Sequence, residues 1–84
     1  MKNKILVEVI VPEIDEKFDV YIPVNRKIGN VIRLLNKAIF ELSNGSFTEN
    51  TQTVLYDKKT GKMFPVDNLV RESGIENGST IVLL

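Results

Sequence analysis

The side chains able to do chemistry fall into three short groups. Glu13, Asp15 and Glu16 are the densest run of carboxylates, Lys58, Lys59 and Lys62 the densest run of amines, and serines stand at positions 43, 46, 73 and 79. A hard cation such as calcium asks for about six or more oxygen ligands. The three carboxylates match no metal-binding spacing and read as a solvated hairpin loop. The lysines are suited to phosphate, but no aromatic residues alternate with them as a nucleic-acid surface requires. A charged hairpin tip, which also keeps sheet edges from pairing, explains them better. The serines need a base, and the chain has no histidine, so a serine hydrolase in its usual form is excluded. Cysteine is absent too, which removes disulfides, thiolate metal sites and thiol nucleophiles. Asn44-Gly45 and Asn77-Gly78 lack the Gly-Lys-Ser/Thr or Gly-x-x-Gly continuation of phosphate-cradling loops, so both read as turns. The expectation is a non-catalytic domain with no catalytic residue, metal or cofactor.

Composition points the same way. Eighty-four residues make one domain, residues 1–84. A chain this short buries only about 60–65% of its unfolded surface, so nearly every large apolar side chain is needed inside. Eleven basic residues balance eleven acidic ones, for a formal net charge of zero. An even mixture gives no electrostatic reason to expect nucleic acid or an anionic membrane as partner. No apolar run approaches the roughly 18–20 residues of a membrane span. Met1-Lys2-Asn3-Lys4 before Ile5-Leu6-Val7 resembles the start of a signal peptide, but Glu8 interrupts it. A cytoplasmic protein is expected.

The elements that must position these groups are legible from periodicity. Ile5, Val7, Val9 and Val11 alternate with Leu6, Glu8 and Ile10, a strand pattern. Pro12 to Lys17 has the residues of a hairpin loop. Phe18, Val20 and Ile22 alternate with Asp19 and Tyr21, and Pro23 closes this second strand. Ile28, Val31, Ile32, Leu35, Ile39 and Leu42 then recur at steps of three and four, predicting an amphipathic helix. Asn25 is the expected N-cap, and Asn44-Gly45 the stop. Gly29, with Arg26 and Lys27, weakens the first turn. Ser46 to Gln52 reads as a connecting loop and Val54-Leu55-Tyr56 as a strand. Asp57 to Lys62 reads as a turn with Gly61 left-handed, and Met63-Phe64 as a short return strand ended by Pro65. Asp67 is expected to cap one turn around Leu69–Arg71. Thr80 to Leu84 is an apolar run suited to a central strand. The order ββαββ-turn-β predicts an α+β β-grasp: a mixed five-stranded sheet on one helix, with the last strand parallel to the first.

Three stretches carry a resemblance: Phe18–Ile22 leading into Lys27–Ile32, Tyr56–Phe64, and Ile75–Leu84. With them the chain resembles ubiquitin-like β-grasp proteins, most nearly the small YukD/EsaB-like proteins of bacterial type VII (WXG100/ESX-like) secretion. The resemblance implies an accessory or regulatory component that docks on the cytosolic side of a membrane secretion complex, with a protein as its partner. Members of the wider fold that form covalent adducts do so through a C-terminal Gly-Gly. Leu83-Leu84 stands there instead, so conjugation is not expected.

What remains is surface. If Ile5, Val7 and Val9 face the helix, Leu6 and Ile10 face away from it, beside Tyr21 and Leu55. In ubiquitin the helix-free face of the sheet is the recognition surface, which makes Leu6, Ile10, Tyr21 and Leu55 the candidate protein-binding residues. Scattered exposed apolar residues are the plainer reading of the same pattern. The competing functions are an adaptor unrelated to secretion, including one that homodimerises, and a sulfur-carrier or modifier-like protein.

Overall fold

A computed structural model describes residues 3–47 and 52–84; part of the expected 46–52 loop therefore lies outside the described residues. Strand β1 (Lys4–Val11) turns through a short 3-10 segment at Pro12–Ile14 into β2 (Glu16–Pro23). Helix α1 (Ile28–Leu42) follows, then β3 (Leu55–Asp57), a 3-10 turn (Val70–Glu72) and β4 (Thr80–Leu83). The sheet order is β2-β1-β4-β3. β1 pairs antiparallel with β2 and parallel with β4, and β3 pairs antiparallel with β4. A helical crossover is what lets two neighbouring strands run parallel, so the expected central position of the last strand is observed.

The described sheet has four strands rather than five. Met63 makes only an isolated bridge to Tyr56. The segment returns close enough for Asp57 N–H to donate to Lys62 O (2.9 Å) and Phe64 N–H to Leu55 O (2.9 Å). Beyond Phe64 the segment turns to the helix start, where Val66 O accepts from Gly29 N–H (2.9 Å). The Gly61 turn is left-handed as expected, with φ of 74°.

One wall of the core is Val7, Val9 and Val11 of β1, Ile81 and Leu83 of β4, and Ile22 of β2. Ile28, Val31, Ile32, Leu35 and Ile39 of α1 form the other. Leu42, expected on this face, is instead 57% exposed at the last turn. Phe47, Phe64, Val70 and Ile75 close the remaining sides from the connecting segments.

The helix begins without the expected Asn25 cap. Its N-cap position is Lys27, which makes no side-chain cap. The segment after β3 does the capping with its backbone: Ile28 N–H donates to Asn68 O (2.8 Å) and Gly29 N–H to Val66 O (2.9 Å), satisfying two of the four donors a helix start leaves open. A Cβ on Gly29 would stand 3.4 Å from that Val66 oxygen, at the edge of ordinary van der Waals contact. Asn25 serves elsewhere, its Oδ1 accepting from the Arg71 guanidinium at 2.9 Å. Asp67 does not cap the 3-10 turn either. Leu69 occupies that N-cap with no side-chain bond, and Val70 N–H donates to Arg26 O. The C-terminus of α1 ends as expected, with Asn44 and Gly45 both at positive φ and Gly45 N–H donating to Phe40 O (2.9 Å).

Candidate functional site: the helix-free face of the sheet

Which face each side chain takes follows from hydrogen-bond phase. Val24 N–H donates to Asn3 O (2.9 Å), so the Asn3–Val24 pair is a hydrogen-bonded one. Alternation then makes the β1 residues 5, 7, 9 and 11 bond to β2. The even-numbered β1 residues turn their backbone groups the other way. Gly78 N–H indeed donates to Leu6 O (2.7 Å), and Glu8 N–H to Ser79 O (2.9 Å). Side chains alternate with the same period, so Lys4, Leu6, Glu8 and Ile10 point away from α1.

Leu6 lies opposite Tyr21 in a non-hydrogen-bonded pair, the closer of the two antiparallel pair types. Tyr21 is 65% exposed and Leu6 half-buried. The Leu6 N–H is held by Asn77 Oδ1 at 2.8 Å, anchoring this strand to the Asn77-Gly78 turn. Ile10 pairs with Lys17 on one side and Val82 on the other, and Val82 pairs with Tyr56. Ile10, Val82 and Tyr56 are all half-buried and form a second apolar row.

Leu55 does not belong to this face. It pairs with Leu83, and both are fully buried beneath the helix. The neighbouring Tyr56 takes the outer position that was expected of Leu55. A three-residue strand carries too little alternation to fix its phase, and a one-residue shift exchanges its two faces.

Between the two apolar groups runs a polar row. Glu8 is directly opposite Asp19 across β1 and β2 and opposite Thr80 across β1 and β4; the Thr80 hydroxyl donates to Glu8 Oε1 at 3.3 Å. Leu6–Tyr21 and Ile10–Val82–Tyr56 are therefore two separate patches with acid between them.

The groups considered for chemistry serve turns. Ser43 Oγ donates to Phe40 O and accepts from Phe47 N–H. Ser73 Oγ donates to Val70 O at 2.6 Å and accepts from Ile75 N–H. Ser79 Oγ accepts from Glu76 N–H at 2.9 Å. Asp57 organises the lysine-rich hairpin, accepting from Thr60 Oγ1 and Lys59 N–H, which leaves Lys58, Lys59 and Lys62 exposed at its tip. Asp15, within the acidic loop, adopts the left-handed conformation with its N–H on Pro12 O. Among the described residues no cluster of three potential metal-ligating side chains converges.

No protein-family model matches the chain, and no curated protein matches it. Solved structures do. The ubiquitin-like domain of PLXNC1 is 15% identical with a TM-score of 0.77, covering 96% of this chain and 97% of that one. A ubiquitin-like domain from an Arabidopsis thaliana protein is 24% identical with a TM-score of 0.68, covering 99% of this chain and 78% of that one. A chain of the MycP5-free ESX-5 inner membrane complex is 16% identical with a TM-score of 0.72; the match covers 99% of this chain but 21% of that one. These likenesses establish a ubiquitin-like β-grasp fold.

Proposed function

We propose that this chain is a non-catalytic protein-binding domain whose contact surface is the helix-free face of the sheet. One observation carries the reading: the cross-strand pair Leu6–Tyr21 sets an aromatic ring that is 65% exposed beside an aliphatic side chain on a rigid four-stranded sheet. Tyrosine supplies a large amphipathic contact at low entropic cost, which is why it is enriched at interfaces. Ile10, Val82 and Tyr56 add a second contact, and the Glu8–Asp19 row between the two favours a partner that brings a basic side chain to the middle.

The setting proposed is the cytosolic side of a type VII secretion machine, in an accessory or regulatory role. The resemblance to YukD/EsaB-like proteins supports it. So does the likeness of this fold to one part of a chain in an ESX-5 inner membrane complex. No helix among the described residues is long and apolar enough to cross a membrane.

The test is site-specific photo-crosslinking in the native cell, with a benzophenone amino acid at Tyr21, Tyr56 or, as control, Lys37 on the exposed side of α1. Adducts from Tyr21 and Tyr56, but not Lys37, with a component of a membrane secretion complex are the expected result. Adducts from Lys37 alone would move the surface to the helix. Adducts only with proteins outside any secretion complex would leave the binding face standing and remove the setting.

A further inference from the structure

Strand β2 is a sheet edge, and its free side carries a self-complementary pattern. Because the even-numbered residues of β2 bond to β1, Lys17, Asp19, Tyr21 and Pro23 direct their main-chain groups outward. That leaves the N–H groups of Lys17, Asp19 and Tyr21, and the four carbonyls, facing away from the sheet. Pro23, which has no N–H, falls at a position where none is needed by β1. At eight residues this edge is twice the length of β4 and longer than β3.

Only outward residues can pair with outward residues when two such edges meet antiparallel, so few registers exist. One sets Asp19 against Asp19 of the other copy, and another sets Lys17 against Lys17. Registers that set Lys17, Asp19 or Tyr21 against Pro23, the second of them also bringing Tyr21 against Tyr21, place in the ladder a residue with no donor to offer. The remaining register sets Lys17 against Asp19 and Asp19 against Lys17, so both charges are matched twice. On the core side the same register brings Phe18 against Phe18 at the two-fold axis. Phe18 is half-buried and, with Ile14 and the 57% exposed Leu42, forms the apolar part of a depression of about 240 Å³ that is otherwise lined by Glu16, Ser43, Asn44 and Ser46.

We propose that two copies of this chain associate through β2, forming one continuous eight-stranded sheet with both helices on the same side. The interface is isologous, as closed two-fold dimers require. Within one chain the cross-strand partner of Asp19 is Glu8, and in the pair it also stands opposite Lys17 of the second copy. The proposal pairs the main chain of the β2 edge and is read by self-association of the purified chain, a measurement in which the partner contact proposed above takes no part.

The test exploits the doubled charge match. Lys17→Asp and Asp19→Lys, each alone, place like charges opposite one another twice, and each should weaken self-association roughly tenfold or more. Mixed together, one variant carries two carboxylates at these positions and the other two amines. Opposite charges then meet at both places across the interface, and a heterodimer should return. Sedimentation velocity over a concentration series reads the association, and a thermal melt of each variant confirms that it folds. Dimer for the unaltered chain, monomer for each variant and dimer for the mixture is the expected set. A chain monomeric at every concentration would overturn the proposal. So would a dimer indifferent to both substitutions, or variants that fold but stay monomeric when mixed.

Discussion

Glu8 and Asp19 stand directly opposite one another across β1 and β2 in a non-hydrogen-bonded pair. That geometry brings the two carboxylate stems closer than any other cross-strand arrangement, and like charges so placed destabilise a sheet. The Thr80 hydroxyl donates to Glu8. Asp19→Thr removes the repulsion and adds a β-branched side chain suited to a strand. In dilute solution it should raise stability by about 0.2–1 kcal/mol, read as a higher urea midpoint at unchanged slope. A lower midpoint would show that Asp19 stabilises the isolated fold.

The two flanks of α1 should respond very differently to truncation. Leu35 is 1% exposed against the sheet, whereas Leu42 is 57% exposed on the same helix. Leu35→Ala should cost about 2–5 kcal/mol through lost burial and a residual cavity, a large share of the stability of so small a domain. Leu42→Ala should stay within about 0.5 kcal/mol. Equal losses by chemical denaturation would show that the helix packs on a different face.

Gly78 and Gly29 should respond differently to the addition of a Cβ. Gly78 has φ of 92° with nothing within 4 Å of where a Cβ would be, and its N–H holds Leu6 O. Gly78→Ala should therefore cost roughly 1–2 kcal/mol from backbone conformation alone. At Gly29 the backbone is helical, so alanine gains propensity of about 0.5–1 kcal/mol against the contact at 3.4 Å with Val66 O. Thermal melts should rank Gly78→Ala below Gly29→Ala.

How legible each part was depended on the length of its pattern. β1, β2 and α1 extend over eight or more residues, enough for period and phase to be read, so Leu6, Ile10 and Tyr21 emerge on the expected face. β3 has three residues; its existence could be read but its phase could not, and Leu55 was exchanged with Tyr56. Caps failed for another reason. Asn25 and Asp67 have the right side chains at the right spacing, but the helix start is capped by the carbonyls of Val66 and Asn68, groups every residue carries and no sequence pattern advertises. Phe47 shows the same limit, buried at 2% exposure from within a polar stretch, with its N–H bonded to Ser43 Oγ.

The register of β3 yields the sharpest test of the outer face. Leu55 and Tyr56 are neighbours in sequence, yet Leu55 is fully buried against Leu83 and the core while Tyr56 is half-buried beside Val82 on the far side. Leu55→Glu would put an unpaired carboxylate among apolar side chains, one of the few changes able to unfold a small domain outright. Tyr56→Glu loses part of a surface contact and should cost on the order of 1 kcal/mol, leaving the fold intact. Circular dichroism and proton–nitrogen correlation spectra of the two variants decide between them. A folded Leu55→Glu beside an unfolded Tyr56→Glu would reverse the register, return Leu55 to the recognition face and bring Tyr56 into the core.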